Sequence, residues 1–125
     1  MDTESKKVLD DLFSILELPE DKREASLLMF RKKISEEVLN RVKGELPQEY
    51  QDFIEKEGRN ITDPHHPMVT LIRGMLKNLH TDKEYEVMAH ESLKSILPEY
   101  VAKASQMNIG AEKAAKLDER IKEFS

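Results

Sequence analysis

Apolar residues recur along most of this chain at intervals of three and four, the period of a helix with one buried face. Val8, Leu9, Leu12, Phe13, Ile15 and Leu16 form the first such stripe and predict a helix over about residues 3–18. Pro19 ends that helix or opens the next, because proline lacks the N–H that a helix interior needs. Pro19, Glu20 and Asp21 then make a first turn in which proline costs little and acids complement the helix dipole. Leu27, Phe30, Ile34, Val38 and Val42 follow at helical spacing, Ala25, Leu28 and Leu39 widen the stripe, and Gly44 supplies a stop. Pro47 restarts a short helix with Tyr50, Phe53 and Ile54 on one side and Gly58 at its end.

Residues 59–67 contain Asn60, Asp63, Pro64 and Pro67, a density of breakers that predicts a loop between two helical halves. In the next helix, about residues 67–79, Met68, Ile72, Met75 and Leu79 line one side and Val69, Leu71 and Leu76 another. So wide an apolar circumference predicts the central, most buried helix. Gly74 within it costs about 1 kcal/mol against alanine, which close approach of a neighbouring helix would explain. Thr81 and Glu84 match a capping box ahead of Tyr85, Met88, Ala89, Ser92, Leu93, Ile96 and Leu97. Pro98 predicts a kink or break, with Tyr100, Val101, Ala104 and Met107 carrying the stripe beyond it. A last helix is expected over residues 110–124, with Asn108 as candidate N-cap. Its Ala114, Leu117, Ile121 and Phe124 form a narrow a/d seam among charged residues.

The expected fold is therefore all-α, a single domain over residues 1–125 built as a compact bundle of five or six helices. Leucine–proline pairs at Leu18-Pro19, Leu46-Pro47 and Leu97-Pro98 read as three helix starts with the same first-turn chemistry. A chain of 125 residues can remove roughly two thirds of its unfolded surface from water.

Composition sharpens this picture. Hydrophobic residues make up 38% and charged residues 36%, a low and a high share for a globular domain. Heavily charged outer helix faces would give that balance. A net charge of -5 opposes non-specific nucleic-acid binding, which needs a phosphate-neutralising face. Arg31, Lys32 and Lys33 form the compact basic run and read as solvated helix surface; with Arg41 and Lys43 they would serve a nucleic-acid adaptor, a rival reading that the acidic balance opposes. The absence of cysteine excludes disulfides, thiolate zinc sites and a cysteine nucleophile. No apolar leader core and no membrane-length apolar run occur, so a cytoplasmic, membrane-free protein is expected.

Leu12, Leu16, Leu18, Pro19 and Glu20, then Phe30, Ile34, Val38, Leu39, Arg41 and Val42, then the run from Leu46 to Tyr50 form a longer pattern. In it, residues 12–57 resemble a bacterial helical domain family of unknown function. The resemblance implies a short helical protein and carries no activity with it.

Candidate chemistry is sparse. Asp63, His65 and His66 in the predicted loop, with His80 and His90 elsewhere, supply nitrogen and oxygen donors of the kind that bind a metal. A metal-dependent helical enzyme using His65, His66 and His90 is one alternative; a polar loop capping the following helix is the plainer reading. Glutamate pairs at 36 and 37, 55 and 57, and 84 and 86 sit among lysines and arginines as surface charge does. No phosphate-binding glycine loop and no nucleophile elbow occur, and no catalytic residue is assigned. The expectation is a non-enzymatic interaction or structural module without a cofactor, binding a protein partner or a second copy. Its expected contact surface is the seam of Ala114, Leu117, Ile121 and Phe124, extended by Met107.

Overall fold

A computed structural model describes residues 2–57 and 65–124. Among the described residues there are six α-helices, one short 3-10 turn and no strand. In order they are α1 (Thr3–Ile15), α2 (Glu20–Val42), the 3-10 turn Lys43–Glu45, α3 (Gln48–Glu57), α4 (Pro67–Leu79), α5 (Asp82–Ser105) and α6 (Ala111–Glu123). The all-α bundle is thus as the periodicity indicates. Most of the predicted loop, with Gly58 and Asp63, lies outside the described residues.

The helix ends follow local chemistry. Asp2 caps α1 by accepting the Ser5 amide at 2.8 Å. The helix stops short of Leu18 because Glu17 turns left-handed, at φ 55°. The Glu17 amide then donates to Ser14 and the Leu18 amide to Phe13, each at 3.1 Å, the paired bonds of a Schellman end. At the start of α5, Thr81 and Glu84 form the full capping box. Gly110, at φ 92°, occupies the N-cap of α6, a backbone position that a side chain would strain. Asn108 is therefore not that cap; it sits two residues earlier in its own left-handed turn.

Pro98 neither breaks nor ends α5, which is continuous on both sides of it. Leu97 and Val101 are both buried in the core, so packing holds the helix together across the proline, whose ring faces solvent. The third leucine–proline pair is accordingly no helix start.

Helices α1, α2, α5 and α6 make the bundle, and their ion and ring pairs give its directions. Asp11 meets Arg120 at 2.7 Å and Glu17 meets Lys113 at 2.9 Å, so α1 and α6 run antiparallel. Arg41 meets Glu91, and Phe30 meets Tyr100, so α2 and α5 also run antiparallel. Near the start of α5, His90 stacks on Phe124 at the end of α6, ring centroids 4.4 Å apart. The continuous core takes Val8, Leu9, Leu12 and Phe13 from α1 and Phe30 and Ile34 from α2. Leu93, Leu97 and Val101 come from α5 and Leu117 from α6.

Helix α4 departs from expectation. It is not the most buried helix, since only Ile72 is buried and Leu71 stays 51% exposed. The four bundle helices already close the core, and α4 lies outside it with its apolar residues half-covered. Nor does a neighbour approach Gly74, because a Cβ built there meets nothing within 4 Å. Gly74→Ala is therefore expected to stabilise the protein by up to about 1 kcal/mol, through the helix propensity of α4 alone. Chemical denaturation would register it as a higher midpoint at unchanged slope.

Candidate binding groove

Helices α1 and α2 close on each other at one end, where the Phe13 and Phe30 rings stand 6.2 Å apart. Towards the other end a groove of about 770 Å³ runs along α2 from Arg31 to Val42. Ser5 and Lys6 of α1 and Asp82, Tyr85, Glu86 and Ala89 of α5 complete its walls, with Leu76 of α4 reaching in. Residue size explains why the space stays open. Ser5, Ser35 and Ala89 stand where large apolar side chains would be needed to fill it.

The apolar lining comes from Ile34, Val38, Leu39, Val42, Leu76 and Ala89. Val38 and Leu39 remain half-buried, since α2 carries more apolar surface than the core covers. Leu28, 68% exposed, prolongs this surface along the row Leu28, Arg31, Ser35, Leu39. Four charged side chains border the groove: Lys6 from α1, Arg31 from α2, and Asp82 and Glu86 from α5. None has an ion-pair partner among the described residues, whereas Arg41, Lys43, Lys113 and Arg120 are all paired.

A polar cluster anchors the end of the groove nearest α4. His80, between α4 and α5, has Nε2 2.8 Å from a Glu45 oxygen and Nδ1 3.2 Å from a Glu84 oxygen. Hydrogen bonding to Glu45 first, and to Glu84 second, raises the His80 pKa above the ordinary histidine value against a smaller opposing effect of burial. The Tyr85 ring stands edge-on to His80 at 5.6 Å, and its hydroxyl donates to the Leu76 carbonyl. Burial, then the nearby Glu45 and Glu84 charges, push the Tyr85 phenol up. Two groove residues, Leu76 and Tyr85, are thus tied together beside the histidine. Both imidazole nitrogens face carboxylates, which leaves neither for a metal or a substrate proton.

Two of the proposed metal donors, His66 and His90, are each engaged elsewhere. His66 turns its Nδ1 inward to accept the Met68 amide at 3.1 Å, capping α4, and its ring lies against Phe53. His90 holds Asp2 at 3.1 Å while stacking on Phe124. Burial raises the Asp2 pKa, but hydrogen bonds from Ser5 and His90 outweigh it and hold that carboxyl below its usual range. His65 sits exposed in the turn before His66. Among the described residues no group of three or more histidine, aspartate or glutamate side chains could hold a metal ion. The glutamate pairs fare likewise, with Glu55 on Lys43 and Glu84 in its capping box.

The α6 seam is also placed differently from its sequence reading. Leu117 is fully buried and Phe124 nearly so, while Ala114 and Ile121 are half-buried. The seam is closed by α1 and α5 of the same chain, which a narrow stripe permits because each neighbour covers only part of it. Met107 alone, at 78% exposed, remains open to solvent.

Sequence reasoning named His80 only as a further nitrogen donor and passed over both the groove along α2 and the clustering of His80 with Glu45 and Glu84. The surplus stripe residues Leu28 and Leu39 signalled the first, and the four-residue spacing of His80 and Glu84 half of the second. No helix among the described residues is long and apolar enough to cross a membrane. No family model, curated protein or solved structure matches the chain.

Proposed function

We propose that this protein is a non-enzymatic interaction module whose groove between α1, α2 and α5 receives an amphipathic helix of a partner protein. The observation that carries the reading is an apolar groove bordered by charges of both signs that have no ion-pair partner among the described residues. Residues Arg31 to Val42 span about 16 Å along α2 at 1.5 Å per residue, the length of roughly three helical turns. An apolar stripe at i, i+3, i+4 and i+7 suits such a lining. Lys6 and Arg31 favour acids on the incoming helix, and Asp82 and Glu86 favour bases. Charges of one sign alone would leave half of the border unmatched.

A synthetic amphipathic peptide of about three to four turns, with leucines at that spacing and glutamate and lysine on its polar side, tests the proposal. Added to isotope-labelled protein, it is expected to shift the resonances of Val38, Leu39, Leu76 and Ala89. All-glutamate and all-lysine versions are expected to bind more weakly. Leu39→Glu should weaken binding at least tenfold, about 1.4 kcal/mol, with helix content unchanged because Leu39 is only half-buried. Shifts scattered over other surfaces, or binding that ignores Leu39→Glu, would rule the groove out.

A further inference from the structure

We propose that the Glu45–His80–Glu84 cluster is a proton-operated latch on the groove: protonated His80 holds the α4–α5 corner against the end of α2, and deprotonation releases α4. The inference rests on the groove as binding site and concerns its regulation.

The geometry suits an imidazolium. A neutral histidine has one N–H and one lone pair, so it can donate to only one of two carboxylates. Here both nitrogens lie within hydrogen-bond reach of carboxylate oxygens, at 2.8 Å and 3.2 Å. Loss of the proton sets a lone pair against one carboxylate and leaves two like charges beside an uncharged ring. The groups facing His80 are Glu45 from the 3-10 turn, and Glu84 and Tyr85 from α5. None of them is a cation that could take the proton's place.

Which contact yields follows from the anchoring of each acid. Glu84 is held in its capping box, with one oxygen on the Thr81 amide at 2.9 Å. Glu45 is joined to His80 across 35 residues of chain and carries no second hydrogen bond among those described. The Glu45 contact is therefore the one released. It is also the tie between the end of α2 and the corner from which α4 departs. Beyond it, α4 is held by its one buried side chain, Ile72, by the Tyr85 hydroxyl on the Leu76 carbonyl and by the His66 ring against Phe53. Its Leu76 lines the groove, so movement of α4 widens it. Because the folded-state pKa is raised, the latch is fully closed below the unfolded value of about 6.5 and opens as pH rises through the folded value. A partner helix is then admitted more readily on the alkaline side.

The chain has no cysteine, so nitroxide labels on Glu36→Cys in α2 and Thr70→Cys in α4 are unambiguous. Both positions are exposed. Pulsed electron paramagnetic resonance is expected to give one narrow distance at pH 5.5 and a broader, longer distribution at pH 8.5. In His80→Gln the distribution should be the same at both pH values. In Glu45→Gln, which removes a charge that favours the imidazolium, the change should move to lower pH. An unlabelled-cysteine-free control of each variant by circular dichroism confirms folding, and either variant suffices if the other fails to fold. A wild-type distribution that does not respond to pH would overturn the latch. So would a response that survives His80→Gln, or one that Glu45→Gln leaves at the same pH. No peptide enters this measurement, so a failed latch leaves groove binding standing, and an empty groove leaves the latch readable.

Discussion

Replacing Phe30 by alanine is expected to destabilise the protein by about 3–5 kcal/mol. Phe30 is fully buried and sits where α1, α2 and α5 meet. Its ring stands 6.2 Å from Phe13 and edge-on to Tyr100 at 4.8 Å. Truncation removes the transfer free energy of the ring, leaves a cavity between three helices, and forfeits both aromatic contacts. A domain of this size has a net stability of roughly 5–15 kcal/mol, so one substitution removes a large share of it. The groove begins at the next residue along α2, Arg31, so the variant should also bind helical peptide less tightly even where it remains folded. Urea unfolding with the slope held common to both proteins measures the first effect. A loss below about 1 kcal/mol would mean that this ring is not the keystone between the helices.

Leu117→Asp is expected to cost more than about 4 kcal/mol, because it places an unpaired carboxylate in the core. Leu117 is 0% exposed and lies within the same apolar cluster as α1 and α5. Arg120, the cation one turn along α6, is already engaged by Asp11 and would have to leave it to compensate. This variant also separates the two uses of the α6 seam. If the seam serves the fold of one chain, Leu117→Asp unfolds the protein and the wild-type midpoint does not vary with protein concentration. If it joined two chains, the variant would remain a folded monomer and the wild-type midpoint would rise with concentration.

The elements of this fold are legible in the chain because their causes are local. Helical periodicity, the capping box of Thr81 and Glu84, and the proline-led start of α4 each depend on residues within one or two turns. The end of α1 and the cap of α6 escaped that reading for equally local reasons of a rarer kind. Glu17 and Asn108 adopt left-handed conformations that are uncommon for residues other than glycine. Pro98 escaped for a different reason, since the loss of one backbone hydrogen bond is outweighed by core contacts on both sides of it.

The candidate sites show the sharper division. His66 reads from the sequence either as a ligand or, more plainly, as part of a loop capping the next helix, and the backbone that brings its ring to the Met68 amide makes it the cap. Glu45 and His80 are separated by 35 residues, so nothing in their spacing announces a pair. The sequence by itself determined that this protein is all helical, where most of its helices begin, and which faces are apolar. Those follow from free energies summed over neighbouring residues. Only the tertiary structure decided which apolar faces the core would take. A bundle has room for a limited number of stripes, and α1, α2, α5 and α6 fill it. The wide stripe of α4 is left outside, the narrow one of α6 is drawn in, and small residues keep a groove open along α2. Competition for burial is a property of the whole chain, and no single segment encodes its outcome.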